Sequence, residues 1–566
     1  MFFRPENPVI VQGDGSLLVE VDSERYAEAR DFIARFADLE KSPEHIHTYR
    51  MTSLTLWNAA SAGLTADEII EGITDLSKYD VPPKVVQDVA EKIARSDKIA
   101  LLPADLEIGP ELLLEVKDSS VARKVVSNRK VMDLTAGAVR EGLYKVPLGN
   151  RGTIKRALLR LGYPVDDIAG FVEGSGLNIR MRRKSVTGPG FGLRKYQRQA
   201  VQAWHKDGSQ GGGHGVVVLP CGAGKTIVGI ATMVQTKCHT LILATGVSSV
   251  RQWKEEILDK THLTEEQVGE YSGETKQIRP VTVTTYQILT HRKSQDAEFT
   301  HLGLFSASDW GLIIYDEVHL LPAPVFRITA DIQARRRMGL TATLVREDGR
   351  EADVFSLIGP KRFDVPWRVL ERSGFVAEAH CFEVRVDLPP RLALEYAQKD
   401  QRRKIRIAAE NPLKLAVLEH LLERHKEDKV LVIGMYLDQL QKVAEIFRAP
   451  LITGKTPNAE RDVLYEQFRN GDIRVLTVSK VANFSINLPD ANVAVQLSGT
   501  FGSRQEEAQR LGRILRPSGG DSFFYSVVTR NSREQEFAHN RQLFLTEQGY
   551  SYRIEEWNEA RLGAAV

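Results

Sequence analysis

The chain has 566 residues, too many for a single hydrophobic core and enough for roughly three or four domains. Hydrophobic residues make up 42% and charged residues 27%, which excludes a disordered or fibrous protein. The formal net charge of +2 is too small to mark the whole surface as a polyanion partner, so any such site is local.

The three cysteines, Cys221, Cys238 and Cys381, stand far apart and fit no CxxC framework, which points to a reducing compartment and against structural zinc. The first residues, "MFFRPENPVIVQGDG", lack the basic start and apolar run of a signal peptide. No stretch approaches the ~18 apolar residues of a membrane span, and a cytoplasmic location is expected.

In chain order, the first fifty or so residues are mixed, with acids outnumbering bases. Between 51 and 97, Gly63 ends one amphipathic run, Thr65 with Glu68 makes a capping box for the next, and Pro82 and Pro83 open a third. Three short helices with tight turns suit a helix-turn-helix or winged-helix bundle, which either binds DNA or packs against a neighbour. The exposed positions are as acidic as basic, which favours the packing role. From "ELLLEVK" (111–117) to about Arg183, strand and helix patterns alternate as in a small α/β domain. "RMRRKSVTGPGFG" (180–192) then reads as a linker.

Beyond the linker, the apolar runs "GVVVLP", "TLILAT", "VTVTTY" and "LIIYDE" alternate with helical segments, the signature of a parallel sheet covered on both faces. A second series follows in "KVLVIGMY", "IRVLTVSK", "NVAVQLSG" and "DSFFYSVVTR". The fold class expected is α/β with two doubly wound sheets.

"GVVVLPCGAGKT" is a strand feeding a Gly-rich turn and then a helix. Backbone N–H groups of Gly222, Ala223, Gly224 and Lys225 suit phosphates at a helix N-terminus, Lys225 suits the terminal phosphates, and the Thr226 hydroxyl suits Mg²⁺. Leu219 stands where the full phosphate-loop pattern has its first glycine. About ninety residues on, "LIIYDEVH" ends a strand in Asp316 and Glu317, one carboxylate for Mg²⁺ and one to orient or deprotonate an attacking water. His319 reads equally well as a core histidine. On the "QEEAQRLGRILRP" helix, Gln509, Arg513 and Arg516 fall on one face, an arrangement suited to arginine fingers reaching across a cleft.

The ordered set "LRKYQ", "LPCGAGKT", "SSVRQW", "VTTYQ", "DEVH", "GLTATLVRED", "VLVIGMY", "LTVSKVANFSINLP" and "QRLGRILRP" resembles superfamily 2 helicases. The DEVH box and the Arg-Glu-Asp after Thr-Ala-Thr are similar to the xeroderma pigmentosum group B (XPB) family, bacterial and archaeal type. "HIHTYRMTSLTLWNAASAGL" (45–64) and "RQLFLTEQGYSYRI" (541–554) extend the likeness to both ends.

The resemblance implies two RecA-like motor domains, at 190–361 and 412–566. An N-terminal domain would occupy 1–105, a damage-recognition-like accessory domain 106–185, and a connector 362–411. The connector's "KDQRRKIR" run is either a thumb-like DNA-gripping helix or a solvated charged face.

The activity implied is an ATP-driven 3′→5′ DNA helicase or duplex translocase of the repair type, using ATP and Mg²⁺. Its DNA is expected to be forked or partly single-stranded, a nuclease partner is expected from archaeal relatives, and a monomer is favoured. Arg194 and Gln197 would read adenine, while Lys225, Thr226 and Asp316 would hold phosphate and metal. Glu317 would position water, and Gln509, Arg513 and Arg516 would complete the site from the second motor domain. Ser249, Gln252, Thr284, Thr285, Thr456, Ser479 and Lys480 fall in motifs lining the nucleic-acid path. Thr341 and Thr343 read as the strand coupling that path to the ATP cleft, and Arg346, Glu347 and Asp348 as the strand-opening element. Asn483 and Asn487 stand where the family has acids; they keep hydrogen bonding but lose charge, which implies slower ATP turnover. The other readings are a DNA-binding scaffold with a decayed ATPase and, less well matched, an RNA helicase.

Overall fold

The computed structural model describes the chain apart from residues 1–2, 43–44, 96–97, 106, 110, 170–172, 187, 189, 210–211, 221, 290, 292–300, 321–335, 343–350, 366–378, 480–490, 500–520, 548–549 and 558–566. Two units make it up, Met1–Leu219 with Gly224–Val365, and Pro220–Ala223 with Pro366–Val566. Among the described residues no helix is long and apolar enough to cross a membrane.

The first unit opens on a hairpin. Asp14 Oδ1 accepts from Ser16 N at 2.9 Å and Gly15 takes a φ of +85°, turning strand Val9–Val11 back into Ser16–Glu20. Ile46–Arg50 and Asp38–Lys41 extend the pair to a four-stranded antiparallel sheet. This sheet gives no periodic signal in the sequence because its strands are three to five residues long and helix Tyr26–Ile33 interrupts them.

The three expected helices form at Ser53–Ser61, Ala66–Leu76 and Pro83–Ala94. The Thr65 capping box is made as read: Thr65 Oγ1 accepts from Glu68 N at 3.2 Å, and Glu68 Oε2 from Thr65 N at 2.8 Å. Gly63 supplies the left-handed turn between the first two helices, at φ +97°.

Seven parallel strands form the first motor sheet, in the order Val268–Tyr271, Val281–Thr285, Thr240–Ala244, Leu312–Asp316, Arg336–Thr341, His214–Val218 and Lys361–Asp364. Burial on both faces explains the unbroken apolar runs. Helix Ser53–Ser61 packs onto this sheet. Trp57 joins its core, edge-on to Phe355 with ring centroids 6.2 Å apart, and Asn58 Oδ1 accepts from Lys361 N at 3.1 Å. Of the two roles open to the N-terminal helices, this one uses packing.

The accessory sheet runs Ala138–Arg140, Leu143–Val146, Leu112–Val116, Ile99–Leu102, Asp166–Asp167, antiparallel except for its last pair. Strand Ile99–Leu102 therefore belongs to the accessory domain, which starts before residue 106. Helix Arg151–Arg160 lies along helix Glu351–Ile358 of the motor domain, with Arg156 and Arg160 at 3.9 and 3.7 Å from Asp353.

Beneath that contact, Asp167 is buried. Arg151 donates to both of its oxygens at 3.0 and 2.7 Å, and Lys155 donates at 2.7 Å. Burial presses the Lys155 ammonium down to about 8 against the pull of Asp167. His214, at the foot of the strand that leads to the phosphate loop, is pushed down to about 3 by burial and by Arg362, and is therefore neutral.

In the second unit the strand order is Leu451–Ile452, Val475–Ser479, Val430–Gly434, Val493–Gln496, Ser522–Thr529, Ala379–Val386 and Ser551–Glu556, again all parallel. The stretch 362–411 differs from a plain connector. Lys361–Asp364 closes the first sheet, and Ala379–Val386 sits inside the second, between two strands that lie far later in the chain. The basic run forms helix Gln401–Ala409, after helix Pro390–Gln398.

Asp167→Asn leaves the buried Arg151 and the half-buried Lys155 with half a partner, and breaking a buried pair typically costs about 3–5 kcal/mol. We expect a clear drop in the urea midpoint of the variant, whereas an exposed mid-helix control such as Glu71→Gln should leave the midpoint unchanged.

Candidate active site

The chemistry-bearing residues of the first motor sheet gather where its strands end. Thr285 closes Val281–Thr285, Asp316 closes Leu312–Asp316, Thr341 closes Arg336–Thr341, and the Gly-rich turn follows His214–Val218. That edge is where open parallel sheets bind ligands.

Gly222 and Gly224 both take left-handed backbone, at φ +79° and +80°, and Gly224 caps helix Lys225–Thr236. A side chain at Gly224 would have no room, since its Cβ would fall 2.6 Å from Gln197 Nε2. Gln197 is buried, and its Oε1 accepts from Arg194 N at 2.9 Å to start helix Lys195–His205. Arg194 in turn donates to the Tyr196 hydroxyl at 3.1 Å. The two residues expected to read the base thus stand beside the phosphate loop, held by each other.

Asp316 and Glu317 are both half-buried. Lys225 Nζ lies 3.1 Å from Glu317 Oε1, and His319 Nδ1 lies 3.5 Å from Glu317 Oε2 and 2.6 Å from Thr341 Oγ1. Glu317 takes the left-handed backbone uncommon for a non-glycine residue, φ +47°, a strain that collects at functional sites. Asp316 accepts from the Trp253 indole N–H at 2.9 Å through Oδ2, while its carbonyl accepts from the Tyr286 hydroxyl at 2.8 Å.

The two carboxyls are pushed in opposite directions. Burial, then the charge of Glu317, raises Asp316 to about 6 despite Trp253 and Lys225. Burial also raises Glu317, but Lys225, His319 and hydrogen bonding together outweigh it and hold the carboxyl below its ordinary value.

A divalent cation fits this arrangement. Asp316 is a half-buried carboxylate short of positive charge, Thr226 stands in the first turn of the adjacent phosphate-loop helix, and the Glu317 Oε2 atom is buried without a hydrogen-bond partner. Among the described residues no group of three or more His, Cys, Asp or Glu side chains forms a cage. Magnesium taking most of its oxygens from phosphate and water needs none.

The remaining expected residues divide by burial. Gln252 is exposed on helix Val247–Lys260, and the Ser249 hydroxyl lies 3.3 Å from that of Thr245. Thr284, Thr285, Thr341 and Ser479 are buried, because each lies in the last two residues of a strand covered on both faces. Thr341 is bound to His319, Thr285 Oγ1 accepts from Ile288 N at 3.3 Å, and the hydroxyls of Thr284 and Ser479 have no hydrogen-bond partner. Their side chains therefore do not face solvent, and any part in a nucleic-acid path runs through neighbours. In the second unit Thr456 Oγ1 accepts from Thr453 N at 3.0 Å. Thr343, Arg346, Glu347, Asp348, Lys480, Asn483, Asn487, Gln509, Arg513 and Arg516 lie outside the described residues.

The profile of the ERCC3/RAD25/XPB C-terminal helicase matches residues 370–560. Over 551 residues the chain is 51% identical to the DNA 3'-5' helicase XPB of Kineococcus radiotolerans, across 97% of this chain and 96% of that protein. The chain belongs to the XPB helicase family.

The XPB likeness is 48% over 563 residues for the DNA 3'-5' helicase XPB of Mycobacterium tuberculosis, covering 99% of this chain and all of that protein. It falls to 30% for the general transcription and DNA repair factor IIH helicase/translocase subunit XPB/SSL2 of Saccharomyces cerevisiae, across 96% of this chain and 71% of that protein. Two further profiles match, the type III restriction enzyme res subunit at 190–346 and a helicase conserved C-terminal domain at 9–139.

Sequence reasoning about this XPB-family site missed Trp253, Tyr286 and Gly229. Each reads as ordinary core in isolation: an indole and a phenol on apolar positions, a glycine in a helix. Only the pairing of distant segments at Asp316 reveals them.

Gly224→Ala forces a left-handed backbone on alanine and drives its methyl into Gln197, a strain of about 1–3 kcal/mol. Thermal melting should register that loss, and equilibrium binding of ATP should weaken at least tenfold.

Proposed function

We infer that this chain is an ATP-dependent 3′→5′ DNA helicase or duplex translocase of the XPB type. The observation that carries the reading is the network Lys225–Glu317–His319–Thr341 beside Asp316, at the C-terminal ends of the strands of a parallel sheet. Family membership supports ATP as the fuel and DNA as the polymer acted on.

In this reading Gly222, Ala223, Gly224 and Lys225 bind the phosphates, and Thr226 and Asp316 hold Mg²⁺. The cation, when bound, neutralises charge on the phosphate oxygens. Glu317, kept ionised by Lys225 and His319, accepts a hydrogen bond from the attacking water and orients it. When Lys225 turns from Glu317 to a phosphate, Glu317 loses its nearest cation and becomes a better base. His319 links that change to Thr341, on the strand that leads into Arg346, Glu347 and Asp348. Gln509, Arg513 and Arg516 complete the site by the family pattern and stabilise the transferring phosphoryl group. Gln252, Ser249, Thr456 and Lys480 meet the DNA, most readily a forked or single-stranded-tailed duplex. A monomer working with a nuclease partner completes the proposal.

The scaffold alternative, a DNA-binding chain with a decayed ATPase, sits poorly with an intact Lys225–Glu317 pair. Steady-state ATP hydrolysis with and without forked DNA decides between them. The parent should be DNA-stimulated, and Lys225→Ala and Glu317→Gln should each cut the stimulated kcat by about 100-fold or more. Equal turnover with and without DNA would end the helicase reading.

Arg346→Ala combined with Glu347→Ala and Asp348→Ala should impair strand displacement at least tenfold more than hydrolysis. If both activities fall together, that stretch is part of the motor rather than the strand-opening element.

A further inference from the structure

Two side chains that the catalytic reading leaves unused converge on Asp316 from two different segments of the expected nucleic-acid path. Trp253 follows Gln252 directly and stands four residues after Ser249, one turn along helix Val247–Lys260. Its indole is buried and donates to Asp316 Oδ2 at 2.9 Å. Tyr286 follows Thr284 and Thr285, is also buried, and donates to the Asp316 carbonyl at 2.8 Å.

The indole has a further neighbour. A Cβ on Gly229 would fall 2.5 Å from Trp253 Cη2, so the phosphate-loop helix Lys225–Thr236 has a glycine where the ring lies against it. One ring thus touches the helix that starts with Lys225 and Thr226, bonds the carboxylate of Asp316, and shares a helix with the exposed Gln252. A tryptophan needed only for packing would fill this space without its N–H on a carboxylate, and a phenylalanine would serve as well.

We propose that Trp253 and Tyr286 are positioning residues that couple DNA occupancy to the Mg²⁺–nucleotide site. Trp253 fixes the direction of the Asp316 carboxylate and Tyr286 fixes the backbone that carries it. A shift of helix Val247–Lys260 on gripping DNA moves the indole with it, because the ring is rigid and buried. The carboxylate follows its donor, and the interaction of Asp316 with a cation changes accordingly. This inference rests on the functional reading above, in which Asp316 holds the metal and Gln252 and Ser249 lie on the DNA path.

Coupling between two ligands is reciprocal: each changes the affinity of the other by the same factor, typically about 5- to 150-fold. The test uses the full-length chain with a fluorescent non-hydrolysable ATP analogue, Mg²⁺ and forked DNA. Analogue affinity is titrated with and without saturating DNA, and DNA affinity with and without saturating analogue. In Trp253→Phe and Tyr286→Phe both factors should fall together by at least about threefold, and in the double variant they should approach 1. Tyr286→Phe loses only a hydroxyl, so it keeps the test valid if Trp253→Phe melts early.

Variants that lose stability yet keep the parental factors would overturn the inference and leave packing as the role of these residues. The functional reading fails separately, in the parent: hydrolysis without DNA stimulation would overturn it and this inference with it. DNA-stimulated hydrolysis with unchanged factors in the variants would overturn the inference alone.

Discussion

Asp316 and Glu317 stand side by side, half-buried, and two adjacent carboxylates drawn partly out of water cannot both be charged unless something answers them. The surroundings of the site follow from that demand. Lys225 and His319 answer Glu317, which stays ionised; Asp316 receives one indole N–H and is left raised to about 6. The asymmetry assigns two tasks to two chemically similar groups. The carboxyl already satisfied by protein cations is free to orient water, and the one short of positive charge is the natural seat of a metal.

The parallel sheet delivers these groups to one edge. Strands buried on both faces spend their side chains on packing, so polar chemistry collects at the strand ends. The same geometry explains why Thr285, Thr341 and Ser479 are buried although their motifs belong to a nucleic-acid path. A strand's last residue is still inside the sandwich, and its influence outside passes through a partner, as Thr341 acts on His319.

At the opposite ends of the strands, a second buried ionic cluster ties the accessory domain to the first motor domain. Asp167 with Arg151 and Lys155 lies on the accessory side, while His214 and Arg362 lie on the feet of motor strands. Buried ion pairs contribute little net stability but tolerate little misalignment. Such a junction favours one placement of the accessory domain, as Trp57 in the motor core does for the N-terminal helices.

Much of this protein was legible in its residues alone. Two parallel sheets followed from four-residue apolar runs separated by helical stretches, the Thr65 capping box and Gly63 turn from local chemistry, and the phosphate loop and carboxylates from motif spacing. These are short-range signals, set by neighbours within a few positions. The tertiary structure decided what depends on segments far apart in sequence. Strand Ala379–Val386 joins partners more than a hundred residues away, so no local pattern could place it in the second sheet. Trp253 and Tyr286 meet Asp316 from separate motifs, and Gln197 occupies the space that Gly224 leaves open. Sequence carries the periodicity and chemistry of each piece; which pieces touch is settled by packing, because burial of one surface against another has no local signature in the chain.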